Sequence, residues 1–150
     1  GALGYTAPGG WLDLSTNATY VDLRNRSTEG PFAPFVGDRI PNRPWLFVNG
    51  TAQLQALDAF APGDALSLRW HTRWSQSFYE FWESAGTQGS KRIIPAQLTH
   101  TAALTLSVLD DPRRLSLSGE VQNLTNAQVF DMFGVQRPGR SIFFKLTADL

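Results

Sequence analysis

The feature that most constrains the fold is an alternation of apolar and polar residues, which recurs six times along the chain. In the third run, for example, Leu66, Leu68 and Trp70 alternate with Ser67 and Arg69. Successive residues of a strand point to opposite faces, so this pattern predicts strands with one apolar and one polar face. The six predicted strands cover residues 11–24, 44–57, 64–79, 98–108, 115–122 and 141–150.

The connections between these runs are alternately long and short. Residues 25–43, 80–95 and 123–139 are long loops, whereas residues 58–63 and the Asp110-Asp111-Pro112-Arg113 turn are short. The runs approach the roughly 9 to 11 residues that a tilted strand needs to cross a membrane, and soluble strands are usually nearer about five. Transmembrane barrels combine long extracellular loops with short periplasmic turns, and they carry apolar residues outside and polar residues inside. The sequence therefore predicts an all-β fold, an antiparallel segment of about six strands from a transmembrane β-barrel.

Six strands are too few to enclose a lumen, because the smallest single-chain transmembrane barrels have about eight. A bilayer offers no water to an unpaired strand edge, so the remaining strands must come from another segment or another chain. Residues Gly1 to Thr6 look like the end of a preceding strand, with a tight turn at residues 7–10. We therefore expect the sequence to be an internal piece of something longer.

Charge and cysteine content exclude several classes of function. Thirteen Lys and Arg balance thirteen Asp and Glu, so no basic excess favours a nucleic-acid partner. The absence of cysteine excludes disulfides, thiolate metal sites and a cysteine nucleophile. His71 and His100 have no recognisable metal-ligand spacing, and no GxSxG, phosphate-loop or HExxH motif is present. We expect no catalysis and no bound metal or cofactor.

The segment Val121 to Leu150, VQNLTNAQVFDMFGVQRPGRSIFFKLTADL, resembles the C-terminal end of TonB-dependent outer-membrane transporters. In that family an asparagine-leucine pair, here Asn123-Leu124, closes the penultimate strand, and the terminal strand alternates to its last position. Residues 38–44 (DRIPNRP) and 94–98 (IPAQL) are similar to the starts of two further strands in the same family. One position departs from the pattern, because the family usually ends in an aromatic residue and Leu150 stands here.

The resemblance implies a bacterial outer-membrane barrel of about twenty-two strands, filled by an N-terminal plug domain that communicates with TonB. Residues 1–150 would form the C-terminal part of that barrel, without the plug or the TonB box. The implied function is uptake of a scarce nutrient such as a ferric siderophore. The implied partners are the remaining barrel and plug polypeptide, TonB through the missing N-terminal part, and outer-membrane lipid with lipopolysaccharide.

The polar face of the third run carries the first group of candidate ligand-binding residues. Arg69, His71 and Arg73 would line the barrel interior, where they could meet an anionic ligand or acidic plug residues. The simpler interpretation is a solvated or salt-bridged wall.

The end of the third run and the second long loop carry the other group. Tyr79 and Trp82 offer stacking area for a ligand, and Lys91 and Arg92 offer charge for ferric chelates or lipopolysaccharide phosphates. The simpler interpretation is an aromatic girdle below a solvated loop.

Two other classes of protein stay open. A secreted β-sandwich module would use Trp70, Trp74 and Trp82 against a polysaccharide, but it explains neither the strand lengths nor the alternating connections. An oligomeric pore would instead build a shared barrel from several copies of the chain, without a second gene product.

Overall fold

The computed structural model describes residues 1–87, 91–110 and 113–149. The described residues form strands and loops, with a 3₁₀ helix at Gly30–Phe35. They contain no helix of the length and apolarity that crossing a membrane requires. The strands are β1 (Ala2–Thr6), β2 (Leu12–Tyr20), β3 (Leu46–Leu57), β4 (Asp64–Ser75), β5 (Phe78–Tyr79), β6 (Ile93–Ile94), β7 (Gln97–Asp110), β8 (Arg113–Gln122) and β9 (Ser141–Asp149).

Seven of these strands form one antiparallel sheet in the order β1-β2-β3-β4-β7-β8-β9. The remaining two, β5 and β6, pair with each other beyond the β4-β7 hairpin. β1 and β9 are the edges, and among the described strands no pairing joins them. The prediction of an antiparallel all-β fold is confirmed, and the described strands form an open sheet.

The register of the sheet places the predicted apolar residues on one face. One row of paired residues contains Tyr5, Leu14, Ala52, Trp70, Ala102, Val121 and Ile142. The adjacent row on the same face contains Leu12, Leu54, Leu68, Leu104, Gly119 and Phe144. The opposite face carries rows such as Ser15, Thr51, His71 and Thr101. We call these two surfaces the apolar face and the polar face.

In the part of the chain that the structure describes, no second layer covers the apolar face. Leu3 is 77% exposed and Phe144 is 81% exposed. The buried hydrophobic side chains among the described residues are Ala7, Phe78 and Ile94, which lie in a turn and in the β5-β6 pair. Soluble monomers rarely expose an apolar patch larger than about a few hundred Å². This face is therefore suited to contact lipid or another polypeptide.

Neighbouring strands are displaced along their length, so the sheet is staggered. Trp70 lies near the middle of β4, but the residues level with it in β8 and β9, Val121 and Ile142, lie next to the strand ends. Between β2 and β9 the strand midpoints move by about five residues over about five strand spacings, which corresponds to a tilt of roughly 35°. A sheet that closes into a barrel needs a stagger of this kind.

The long connections meet at one end of the sheet, the long-loop end, and the short ones meet at the other. We call residues 21–45 loop A, residues 76–96 loop B and residues 123–140 loop C. The described short turns are residues 7–11 and 58–63, whereas Asp111 and Pro112 of the third predicted turn, like Leu150, lie outside the described residues. The predicted alternation of long and short connections is confirmed for the described ones.

Three strand boundaries differ from the prediction. The segment before residue 7 forms a complete strand, β1, so the sheet has seven strands where six were expected. The first run was expected to continue to Arg24, but β2 ends at Tyr20, and Arg24 forms an isolated bridge with Arg39 inside loop A. The third run divides into β4 and the short β5, and loop B contains the partner of β5, β6.

A buried carboxylate closes the turn at residues 58–63. Asp64 Oδ1 accepts a hydrogen bond from the Ala59 amide at 2.6 Å, and Oδ2 accepts from the Phe60 and Ala61 amides at 3.0 and 2.9 Å. Asp58 adopts φ +53°, a left-handed conformation that aspartate tolerates better than most residues. The turn thus satisfies its own backbone donors while it joins β3 to β4.

We expect Asp64→Ala to lower the free energy of unfolding by about 2 kcal/mol, because three backbone N–H groups lose a charged acceptor. Equilibrium urea unfolding followed by tryptophan fluorescence measures this change. Asp13→Ala is the matched control, since the Asp13 carboxylate accepts one hydrogen bond, from the Thr6 hydroxyl, in the described part of the chain. The control should cost less than about 0.5 kcal/mol. Equal losses in the two variants would contradict the role of Asp64.

Candidate functional site

Loop A is held in shape by a charged cluster at its base. Asp22 accepts hydrogen bonds from Arg24 at 3.0 Å and from Arg39 at 2.9 Å. Asn25 is buried and donates its side-chain amide to Phe32 O at 2.7 Å. These contacts connect both ends of the loop with its 3₁₀ helix, so loop A is a folded unit.

Loops A and B are bound to each other by polar and aromatic contacts. Asp38 Oδ2 accepts hydrogen bonds from the amide and the hydroxyl of Ser84, at 2.8 and 2.6 Å. The Trp82 ring lies parallel to Phe35, with the ring centres 5.2 Å apart and the planes 2° apart, and it also contacts Phe32 at 5.7 Å. The side chain of Trp82 is therefore positioned by loop A as well as by its own loop.

Loop B contains a small pocket of about 150 Å³, which we call the loop pocket. Lys91 Nζ lies 5.8 Å from the centre of the Tyr79 ring, and Arg92 Nη1 lies 3.2 Å from the largely buried carboxylate of Glu80. The pocket thus offers aromatic surface and one ammonium group, because Glu80 balances the charge of Arg92. Its lining residues are Tyr79, Phe81, Trp82, Ala85, Gly86, Lys91 and Arg92. The four loop residues that the sequence analysis selected therefore lie together, and their binding of a ligand stays a prediction.

Loop C folds back over the polar face of the sheet. The buried Gln97 side chain accepts a hydrogen bond from the Phe130 amide at 2.7 Å, which ties the loop to the start of β7. Asn123, at φ +49°, exchanges two side-chain hydrogen bonds with the backbone of Ala127, at 2.8 and 2.9 Å. An isolated bridge between Phe130 and Gln136 gives the loop a hairpin form. Loop C is therefore anchored in a defined position.

Loop C also contacts loops A and B. With its amide nitrogen directed at loop C, Asn42 donates to Met132 O at 2.9 Å and to Glu80 O at 3.1 Å. Gly134 adopts φ +77° and packs so closely on the Glu80 carboxylate that a Cβ would collide with it. The three loops consequently form one continuous layer at the long-loop end.

A groove of about 630 Å³, which we call the polar-face groove, lies between loop C and the sheet. Its strand residues occupy polar-face positions, and they include His71 and Arg73 from the sequence-based prediction. Loop C contributes Arg137 to the same groove. The lining also includes Phe47, Phe78, Gln97, Thr99, Thr101, Gln122, Phe130, Asp131, Met132 and Phe143.

Arg69 does not line the polar-face groove. Its guanidinium donates two hydrogen bonds to Gln53 Oε1, at 3.2 and 3.0 Å, across the β3-β4 pairing. His71 Nδ1 lies 2.9 Å from Thr51 Oγ1, its neighbour in the same pairing. The three residues that the sequence analysis grouped are therefore separated in the structure. Arg69 is hydrogen-bonded to Gln53 on the sheet surface, whereas His71 and Arg73 line the groove.

The loop C residues of the groove were missed by the sequence analysis. A loop sequence does not state on which face of a sheet the loop folds, so Phe130 and Arg137 carried no signal of their own. A usable signal was present in the strands, because Phe47 and Phe143 are aromatic residues at positions where the alternation calls for polar ones. Both of them line the groove.

The two histidines lie on opposite faces of the sheet, His71 on the polar face and His100 on the apolar face. His100 Nδ1 lies 2.9 Å from Thr72 Oγ1, which also accepts a hydrogen bond from the Trp70 indole at 3.0 Å. These contacts satisfy polar atoms on an otherwise apolar surface. Across residues 1–87, 91–110 and 113–149, no group of three His, Cys, Asp or Glu side chains could hold a metal ion.

No protein-family model, no curated protein and no solved structure matches this chain. The resemblance to TonB-dependent transporters therefore stays a prediction that rests on residues 38–44, 94–98 and 121–150.

The charged cluster of loop A makes its stability depend on pH. The hydrogen bond from Arg24, with that from Arg39, holds the pKa of the Asp22 carboxyl below its ordinary value of 3.8. A carboxyl with a lowered pKa stabilises the folded loop above pH 3.8, and this stabilisation is lost as the pH falls through the folded-state pKa.

We expect acidification below pH 3.8 to open loop A and to speed amide exchange at Asn25 and Ile40, which donate to Asp38 O and Leu23 O. Hydrogen exchange followed by NMR and corrected for intrinsic rates measures this. Asp22→Asn is the control, because an amide cannot titrate and its exchange should lack the acid-dependent component. An identical acid response in the variant would show that another group controls the loop.

Proposed function

We propose that this chain supplies the C-terminal strands of a TonB-dependent transporter in a bacterial outer membrane, and that the transporter takes up a scarce nutrient such as a ferric siderophore. The observation that carries the proposal is the exposed apolar face, which extends over seven strands opposite a polar face. The sequence resemblance supplies the transporter class. The role is transport, without a catalytic step.

A lipid bilayer would cover the apolar face without a second protein layer. Leu68 and Leu104 are paired across β4 and β7, and they are 43% and 50% exposed. Removal of apolar surface from water is worth about 25 cal/mol per Å², so a face of this extent gains many kcal/mol in hydrocarbon. The inner strands also meet the main requirement of hydrocarbon, because neighbouring strands already pair their backbone groups.

The geometry of the sheet supports the same environment. A tilt of roughly 35° falls at the lower limit of the range of about 35–45° for outer-membrane barrels. Strands β3, β4 and β7 have 12, 12 and 14 residues, which is enough to cross the hydrocarbon at that tilt. At the long-loop end, Tyr20 and Trp45 form an edge-to-face pair, and aromatic residues form girdles at the interfaces of outer-membrane barrels. The long loops would then face outward and the short turns would face the periplasm.

The unpaired edges of the sheet are a further argument for a partner polypeptide. β1 and β9 each have one paired side in the described sheet, and an unpaired strand edge in hydrocarbon costs several kcal/mol for each unsatisfied group. Strands from the remaining barrel polypeptide would pair with both edges. The plug and the TonB contact would belong to that polypeptide as well, and the lipid contacts would belong to the apolar face.

The two alternatives have weaker support. A β-sandwich module needs a second sheet on the apolar face, and the described strands outside the main sheet, β5 and β6, lie at the long-loop end. An oligomeric pore would pair β1 of one copy with β9 of the next, so the open edges suit it, but the family resemblance favours an unlike partner.

Site-directed spin labelling tests the proposal, and the chain suits it because it contains no cysteine. Leu68→Cys and Leu104→Cys place labels at paired apolar-face positions, while Ser67→Cys and Thr105→Cys place matched labels one residue away on the polar face. In the native complex in lipid, we expect the first two labels to collide with oxygen and the other two with a water-soluble nickel chelate. Power-saturation EPR measures both collision rates.

The outcomes separate the candidate functions. Polar-face and apolar-face labels with equal access to nickel, on a chain that is monodisperse in water, would contradict the membrane proposal. Apolar-face labels shielded from both reagents in water would favour the β-sandwich. Native mass spectrometry in mild detergent distinguishes the remaining two, since one copy with a larger unlike companion supports the transporter and several identical copies support the pore.

A further inference from the structure

We propose that the polar-face groove binds a small organic anion with a flat apolar body, such as an aromatic carboxylate. In its lining the groove combines several phenyl rings with guanidinium groups that form no ion pair among the described residues. As a binding site it depends only on residues of this chain. As a statement about the transported ligand it rests on the proposed function.

The cationic residues in the lining of the groove are Arg73 from β4 and Arg137 from loop C. Among the described residues neither guanidinium forms an ion pair. The acidic residue in the lining, Asp131, uses Oδ1 to accept the amides of Phe133 and Val135 at 2.8 and 2.9 Å, so it serves the turn of loop C. The lining thus carries two planar cations and one carboxylate, with no ion pair of Asp131 to either cation among the described residues, which leaves a net positive charge. A guanidinium binds a carboxylate ligand in bidentate geometry.

The apolar part of the lining consists of Phe47 on β3, Phe78 on β5, Phe130 in loop C and Phe143 on β9. Phe47 and Phe143 stand at polar-face positions four strands apart, where the alternation calls for polar side chains. Each ring offers a surface on which a flat group stacks in the offset geometry that aromatic rings favour. A ligand that pairs with a guanidinium and stacks on one of the rings is anionic at one end and apolar at the other.

The groove is also preorganised, since hydrogen bonds hold loop C in place before any ligand binds. Gln97 holds the Phe130 amide at 2.7 Å, and the two hydrogen bonds between Asn123 and Ala127 hold the start of loop C. A ligand that enters a prepared site loses less free energy to the ordering of loops and side chains. The volume of the groove, about 630 Å³, lies within the range of about 300–1,000 Å³ that is usual for small-molecule sites. We therefore favour a small molecule over an acidic segment of polypeptide.

Binding of 2-naphthoate to the native complex tests the inference, with 2-naphthamide as the neutral probe of equal shape. Saturation-transfer NMR detects binding, and titration gives the dissociation constant. We expect naphthoate to bind at least about tenfold more tightly than the amide, and Arg73→Gln and Arg137→Gln each to weaken naphthoate by about tenfold. Arg69→Gln is the matched control, since Arg69 is on the same strand and face but outside the groove, and it should change binding by less than about twofold.

Arg73→Lys keeps the charge but loses the bidentate geometry, so it should bind naphthoate more tightly than Arg73→Gln and less tightly than the native chain, an order that misfolding would not produce. Equal binding of the acid and the amide would overturn the inference, and so would an equal loss in Arg69→Gln. Naphthoate that binds only after the companion polypeptide is removed would also overturn it, because a protein segment would then occupy the groove. If the spin labels contradict the membrane proposal while the naphthoate pattern holds, the groove stands and the transporter assignment falls.

Discussion

The ladder of backbone hydrogen bonds, kept in one register over seven strands, is the constraint on which the rest of the structure depends. Leu68 and Leu104 share a face because β4 and β7 pair in this register, and Ser67 and Thr105 share the other face for the same reason. A shift of one residue in a single strand would place its apolar side chains among polar neighbours. The hydrogen bonds of Asp64 stabilise the turn at residues 58–63, which joins β3 to β4 and thereby supports the pairing of these two strands.

The separation of the two faces lets one sheet meet two different environments. The apolar face needs no packing partner within the described chain if hydrocarbon covers it. The polar face can then specialise, and loop C covers part of it to form the groove. Glu80 connects the loop pocket with loop C, because its carboxylate pairs with Arg92 of the pocket and packs on Gly134. The three loops therefore support the pocket and the groove together.

The sequence-based predictions were correct for features that depend on the pattern of neighbouring residues alone. The period-two alternation correctly assigned the apolar side chains to one face, and glycine and proline content correctly marked the long loops. It overextended β2, because a continuing alternation cannot reveal that Arg24 turns away to pair with Arg39. It also grouped Arg69 with Arg73, since both have the same parity on β4, although Arg69 bonds to Gln53 and lines no part of the groove.

The sequence by itself determined the strands, their two faces and the order of long and short connections, because strand parity and turn chemistry are local properties of neighbouring residues. The tertiary structure alone decided the stagger between strands and the folding of loop C over the polar face. It also decided that Tyr79, Trp82, Lys91 and Arg92 share one pocket. These features arise from contacts between residues far apart in the chain, and the free energy of such contacts depends on an arrangement that a local pattern does not contain.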